Sequence, residues 1–99
     1  MSGYTVVLSP NPAGGWAAYC PAMPGAAAQG DSREAVLGEI ALVMAAWLEL
    51  SADDQDLELD EHPGVVVKAL GEILADRAAE GWPLAVETVL VTPTAAIAA

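Results

Sequence analysis

Asp31-Ser32-Arg33-Glu34-Ala35-Val36-Leu37-Gly38-Glu39-Ile40-Ala41-Leu42-Val43-Met44-Ala45-Ala46-Trp47 is the stretch on which the fold turns. Val36, Ile40, Val43, Met44 and Trp47 recur at three- and four-residue spacing, the period that stacks side chains along one face of an α-helix. The start is marked as well. Asp31 as N-cap with Glu34 three residues on gives a capping-box arrangement, each side chain satisfying a free backbone N–H, and Ser32 is the alternative cap. Leu37, Ala41, Leu42, Leu48 and Leu50 carry the apolar surface well round the cylinder, beyond what one sheet covers. A second contact is therefore expected, with a later helix or with another subunit.

Upstream of this helix the chain reads as strands. Tyr4-Thr5-Val6-Val7-Leu8 is rich in β-branched and aromatic residues and ends at the turn formers Ser9-Pro10-Asn11-Pro12-Ala13-Gly14-Gly15. Gly14 and Gly15 permit positive φ in a hairpin, after which Trp16-Ala17-Ala18-Tyr19-Cys20 resumes an extended pattern. Pro21 and Pro24-Gly25 force the chain out of this second strand, and Gly30 releases it from a short third strand, Ala26-Ala27-Ala28-Gln29.

Downstream, residues 51–61 form a polar connection holding Asp53, Asp54, Asp56, Glu58, Asp60 and Glu61. Pro63 in a first turn and Gly81 after a last one predict a second helix over 64–80, with Val66, Leu70, Ile73 and Leu74 inward and Pro83 confirming the stop. The β-rich passage over 84–92 is the final strand. The chain contains no internal repeat and no linker, so a single α+β domain over 1–99 is expected.

Composition narrows the function classes. A formal charge of −11 sets fourteen acids against only Arg33, Lys68 and Arg77, a balance that repels phosphate backbones and disfavours direct nucleic-acid binding. It would attract a basic protein partner, and it is equally the balance of a protein kept soluble by charge. A single cysteine, Cys20, allows no internal disulfide and fits a reducing cytoplasm, and Cys20 itself reads as a small buried apolar residue. Met1-Ser2-Gly3-Tyr4 lacks the basic and apolar regions of a secretory signal, and the apolar run over 35–50, broken by Gly38, Glu39 and Glu49, is too short to span a bilayer. A cytoplasmic protein without membrane contact is expected.

No residue pattern supports catalysis or a cofactor. Asp54, Asp56 and Glu58 alternate as in a calcium loop, but Leu59 stands where glycine is needed and Val65 where glutamate is needed. A two-metal nuclease needs carboxylates projecting from strands, and no charged residue occurs before Asp31. His62 is the only histidine, which leaves no zinc set and no Cys–His pair. The expectation is a protein that is not an enzyme and holds neither metal nor cofactor. Two features suit partner binding instead: Trp16, beside the glycine turn, as a recognition aromatic, and the acids Asp53, Asp54, Asp56 and Glu58 as a dock for a basic protein. The plainer readings are a packed tryptophan and a solvated loop. The uncharged first thirty residues add a further possibility, since an uncharged strand at a sheet edge pairs readily with another chain, whereas one inside the sheet does not.

Taken together, Tyr4-Thr5-Val6-Val7-Leu8, Gly14-Gly15-Trp16-Ala17-Ala18-Tyr19-Cys20-Pro21, Met23-Pro24-Gly25, Gln29-Gly30-Asp31-Ser32, Glu34-Ala35 and the helix ending in Trp47-Leu48 resemble the HicB-like antitoxin family of bacterial type II toxin–antitoxin systems. The resemblance covers about 4–50. It implies a three-stranded antiparallel sheet, a helix packed on it and a final strand, in a degraded ribonuclease-H-like fold, here with a second helix added. It further implies a homodimer or larger assembly that binds and neutralises a small basic HicA-like mRNA-cleaving toxin, without the C-terminal DNA-binding domain that many members carry. Gly14, Gly15, Pro21, Pro24, Gly25, Gly30, Asp31 and Glu34 are then scaffold positions. The alternative is a stand-alone oligomeric module with no toxin, holding a small molecule between subunits. The acidic connection and added helix over 51–83 lie outside the resemblance.

Overall fold

The computed structural model describes residues 3–50 and 63–94. The β-branched run at the start is extended and continues through the first proline as β1 (Tyr4–Pro10). The chain reverses between Asn11 and Gly15, where two backbone bonds of 2.9 Å close the loop and Gly14 and Gly15 take φ of 109° and 87°. It returns as β2 (Trp16–Tyr19), and β3 (Ala27–Gly30) follows the Pro21 and Pro24-Gly25 breaks. Two helices come next, α1 (Arg33–Leu50) and α2 (Pro63–Ala79), and then β4 (Glu87–Val91).

All four strands form one antiparallel sheet in the order β3-β2-β1-β4. The final strand therefore completes the sheet beside β1, making four strands where three and a separate last strand were expected. It is also shorter than the 84–92 expected from composition. Pairing with β1 ends at Leu8↔Glu87; the next residues of β1 run to Pro10, which has no N–H to extend the ladder. The uncharged N-terminal segment divides accordingly: β1 and β2 lie inside the sheet, and β3 is an edge.

Alternation assigns the sheet's two faces. Val6, Leu8, Ala18, Cys20 and Val91 turn toward α1 and join Val36, Ile40, Ala41 and Met44 in one core. Each fully buried aliphatic side chain there contributes about 1.5–3 kcal/mol. The segment between β2 and β3 plugs one end of this core: Pro21, Ala22 and Met23 are buried, and the Trp47 indole N–H donates to the Pro24 carbonyl at 3.1 Å. Trp47 is thereby tied to the core's rim, and Cys20 is completely buried as its sequence setting suggested.

The start of α1 corrects the capping assignment. Ser32 is the N-cap: its Oγ accepts the Ala35 N–H at 3.0 Å and its carbonyl accepts the Val36 N–H at 3.0 Å. Asp31 lies one residue outside, and Glu34 falls at the second helical position, so no Asp31–Glu34 capping box forms. The cause lies upstream. A Cβ on Gly30 would stand 2.8 Å from the Val36 backbone nitrogen, so the strand and the helix start approach too closely for the turn to begin earlier.

α2 lies on the opposite face of the sheet. Ile73 faces Val7, Ala17, Tyr19 and Ala27 across a groove of about 550 Å³, and Val65 and Ala69 line a smaller one with Tyr19 and Pro21. The expected inward residues Val66, Leu70, Ile73 and Leu74 are all half-buried, and Ala69 and Arg77 are the buried members of this helix among the described residues. Because α2 takes the other face, it does not cover the surplus apolar surface of α1, and Leu42 and Leu50 remain exposed.

Two substitutions test this account. Ser32→Ala should cost about 1 kcal/mol in urea unfolding while Asp31→Ala changes little; equal effects would return the cap to Asp31. Gly30→Ala should cost about 1–3 kcal/mol, because the added methyl meets backbone and not a side chain that can yield.

Candidate functional site

Trp16 is the sequence-predicted partner residue that the structure describes. It begins β2, is half-buried against the core on the α1 side, and borders a groove of about 350 Å³ with Pro10, Arg33, Ala85, Val86 and Glu87. The Arg33 Nε donates to the Glu87 carboxylate across this groove, tying the first turn of α1 to β4. That hydrogen bond, and then the Glu87 charge, raise the Arg33 pKa above its ordinary value. Trp16 thus combines a packed edge with a face on an open groove. Asp53, Asp54, Asp56 and Glu58 lie outside the described residues, so they are not placed relative to it.

Gly14, Gly15 and Gly25 sit at positive φ in the two loops flanking β2, which accounts for their place in the pattern. Asp31 and Glu34 are exposed at the α1 start. The sheet ends in two edges: β3, which carries no charge, and β4, on which Leu90 is 74% exposed. Neither edge carries the lysine that commonly blocks strand addition.

A second constellation joins Trp82, which its place between Gly81 and Pro83 marks as a staple for the end of α2, to Arg77, whose burial the sequence did not disclose. α2 ends in a Schellman motif: the Gly81 N–H donates to Ala78 at 3.1 Å, the Trp82 N–H donates back to Arg77 at 2.8 Å, and Gly81 takes φ of 73°. This motif brings the residue after the glycine over the last turn, here the Trp82 ring over the Arg77 guanidinium at 5.6 Å. Arg77 Nε donates to the Pro83 carbonyl at 2.5 Å. The result is an arginine only 4% exposed, the one buried polar or charged residue among those described. It borders a cavity of about 360 Å³ together with Ser9, Asn11, Asp76, Glu80 and Trp82. A signal was present: Ala69, Ile73 and Arg77 repeat at four-residue spacing on one helix face, with Gly81-Trp82 following at the distance a Schellman contact needs.

Among the described residues no group of His, Cys, Asp and Glu is placed to hold a metal ion, and no helix is long and apolar enough to cross a membrane. No protein-family model, curated protein or solved structure matches this chain.

Gly81→Ala tests the geometry at the end of α2. A methyl at this left-handed position should cost about 1 kcal/mol and release the Trp82 stack, seen as a shift of the Trp82 indole resonance toward its unfolded position. An unmoved resonance would show that the ring does not depend on the Schellman turn.

Proposed function

We propose that this chain is a HicB-like antitoxin or antitoxin-derived protein that binds and neutralises a small basic HicA-like mRNA-cleaving toxin. The observation that carries the reading is the ordered run of strand, glycine hairpin, proline breaks and capped helix over about 4–50, from Tyr4 to Trp47-Leu48. The charge of −11 supports it from a separate direction, since a basic ribonuclease would be drawn to this surface and would bind it by area and charge complementarity. In this reading the chain is not an enzyme. The fold would be of the degraded ribonuclease-H-like type, with the second helix as an addition. Trp16 at its groove and the acids Asp53, Asp54, Asp56 and Glu58 would be the contacts to the toxin.

A second reading, a stand-alone oligomeric module, is favoured by one feature: the exposed Leu90 on β4, an open edge of the sheet. In both readings the protein associates with itself.

Coexpression with the neighbouring open reading frame, where that frame encodes a short basic protein with one catalytic histidine, separates the two. The antitoxin reading expects the neighbour to arrest growth alone and the pair to copurify at moderate salt. It expects Trp16→Ala to weaken the complex roughly tenfold or more, and amides replacing the acids at 53, 54, 56 and 58 to slow association most at low salt. A harmless neighbour and no complex would remove it. Light scattering on the isolated protein should give a dimer or larger assembly at micromolar concentration; a clean monomer would remove the argument from the open edges.

A further inference from the structure

A strand at the end of a sheet offers a row of backbone donors and acceptors to another chain, and monomeric proteins usually block that row with a lysine, a proline or a bulge. β4 has none of these. Its five residues, Glu87-Thr88-Val89-Leu90-Val91, pair with β1 in unbroken register and on one side only. The described chain on either side of the strand leads inward: Ala85 and Val86 line the groove with Trp16 and Arg33, and past Val91 the Thr94 N–H donates to the Ala41 carbonyl of α1 at 3.1 Å. The other edge, β3, offers less. It has four residues, ends at Gly30 and runs at once into the α1 start, where Asp31 and Glu34 are exposed.

Charge decides which occupant the β4 edge suits. In a chain of charge −11, a surface with free acids repels a second copy of itself and attracts a basic protein. β4 does neither. Its single charge, Glu87, is taken by Arg33 of the same subunit, and residues 88–94 carry no charge at all. The side chains alternate as a strand pair requires: Val89 and Val91 pack toward the α1 core, while Thr88 and Leu90 are exposed on the other face.

We propose that β4 is the surface on which two copies of this chain join, edge to edge and antiparallel, into one sheet with four strands from each copy. This rests on the self-association expected in both functional readings and gives it a place. A twofold axis opposite Val89 pairs Val89 with Val89, Thr88 with Leu90 and Glu87 with Val91, so that all five residues take part. Each Leu90 then lies beside a Thr88 and diagonal to the other Leu90. The two Glu87 side chains stand at opposite ends of the pairing, four residues or about 13 Å apart, each beside its own Arg33. Moving the axis to Thr88 would set the two carboxylates diagonal to each other, and moving it to Leu90 would set Glu87 opposite Pro93, which has no N–H to give. A five-residue pair is smaller than the standard interface of about 1,600 Å², so the dimer should dissociate on dilution. Because the rest of each copy is acidic, salt should strengthen it.

Light scattering of the full chain over a concentration series, at low and at moderate salt, reads the monomer–dimer equilibrium. The unaltered chain should be dimeric at micromolar concentration and should dimerise more tightly at the higher salt. Leu90→Lys, at an exposed position, should weaken the dimer at least about tenfold while the circular dichroism stays unchanged. Val89→Cys sets a thiol opposite its symmetry mate at a Cα separation of about 4.5–5.5 Å, which suits a disulfide. Mild oxidation should convert that variant to a covalent dimer, with the completely buried Cys20 taking no part. Ala27→Cys, exposed on β3, should give no covalent dimer under the same conditions. A dimer that loosens with salt, that is unmoved by Leu90→Lys, or that cross-links through Ala27→Cys and not through Val89→Cys would overturn the β4 assignment and leave self-association standing. A monomer at every concentration would remove both.

Discussion

The packing of α1 onto one face of the sheet through Val36, Ile40 and Met44 is the constraint from which the other features follow. These side chains are completely buried against Val6, Leu8, Cys20 and Met23. To seat them, the chain must pass from β3 into the helix within two residues, which brings Gly30 against the Val36 backbone. The same seating decides that Ser32 caps the helix, places Arg33 where it reaches Glu87 on β4, and carries Trp47 to the loop that closes the core. A single helix position thus fixes the cap, the ion pair and the plug.

The opposite face is built differently. α2 meets the sheet through small and half-buried side chains, and between them runs a groove where a closed core would have interlocking aliphatics. Its C-terminal anchor is electrostatic and geometric: a glycine turn folds Trp82 back over Arg77, and the arginine is buried beneath it. An arginine in such a place stabilises poorly by itself, because its desolvation is only partly offset by one carbonyl and one ring. The molecule therefore has one face closed by apolar packing and one left open by it.

Much of this was legible in the sequence. β-Branched runs, proline breaks and paired glycines located the first three strands to within two residues at each end, and the periodic positions of α1 located its inward face; in α2 the residues expected inward, Val66, Leu70, Ile73 and Leu74, are half-buried, and Ala69 and Arg77 are the buried ones. The alternation in β1 could not say which helix covers which face, since Val6, Val7 and Leu8 are all apolar and both faces accept a helix. The N-cap was misplaced by one residue because Asp31 and Ser32 satisfy the local rules equally; the choice is made by Gly30 meeting Val36, a contact that local rules do not contain. Arg77 was counted only as one of three cations, because its burial depends on a turn four residues further on. Trp16 was rightly set beside the glycine hairpin, although its packing edge depends on the core that α1 builds.

The division into a closed face and an open one is the claim on which both the partner surface and the groove depend. Native-state hydrogen exchange tests it directly. Amides of β1, β2 and the buried side of α1 should exchange only through global unfolding, with a denaturant dependence equal to that of the whole molecule, while those of α2 should exchange through a smaller, separate opening. Protection in α2 equal to that in α1, lost with the same denaturant dependence, would contradict the account.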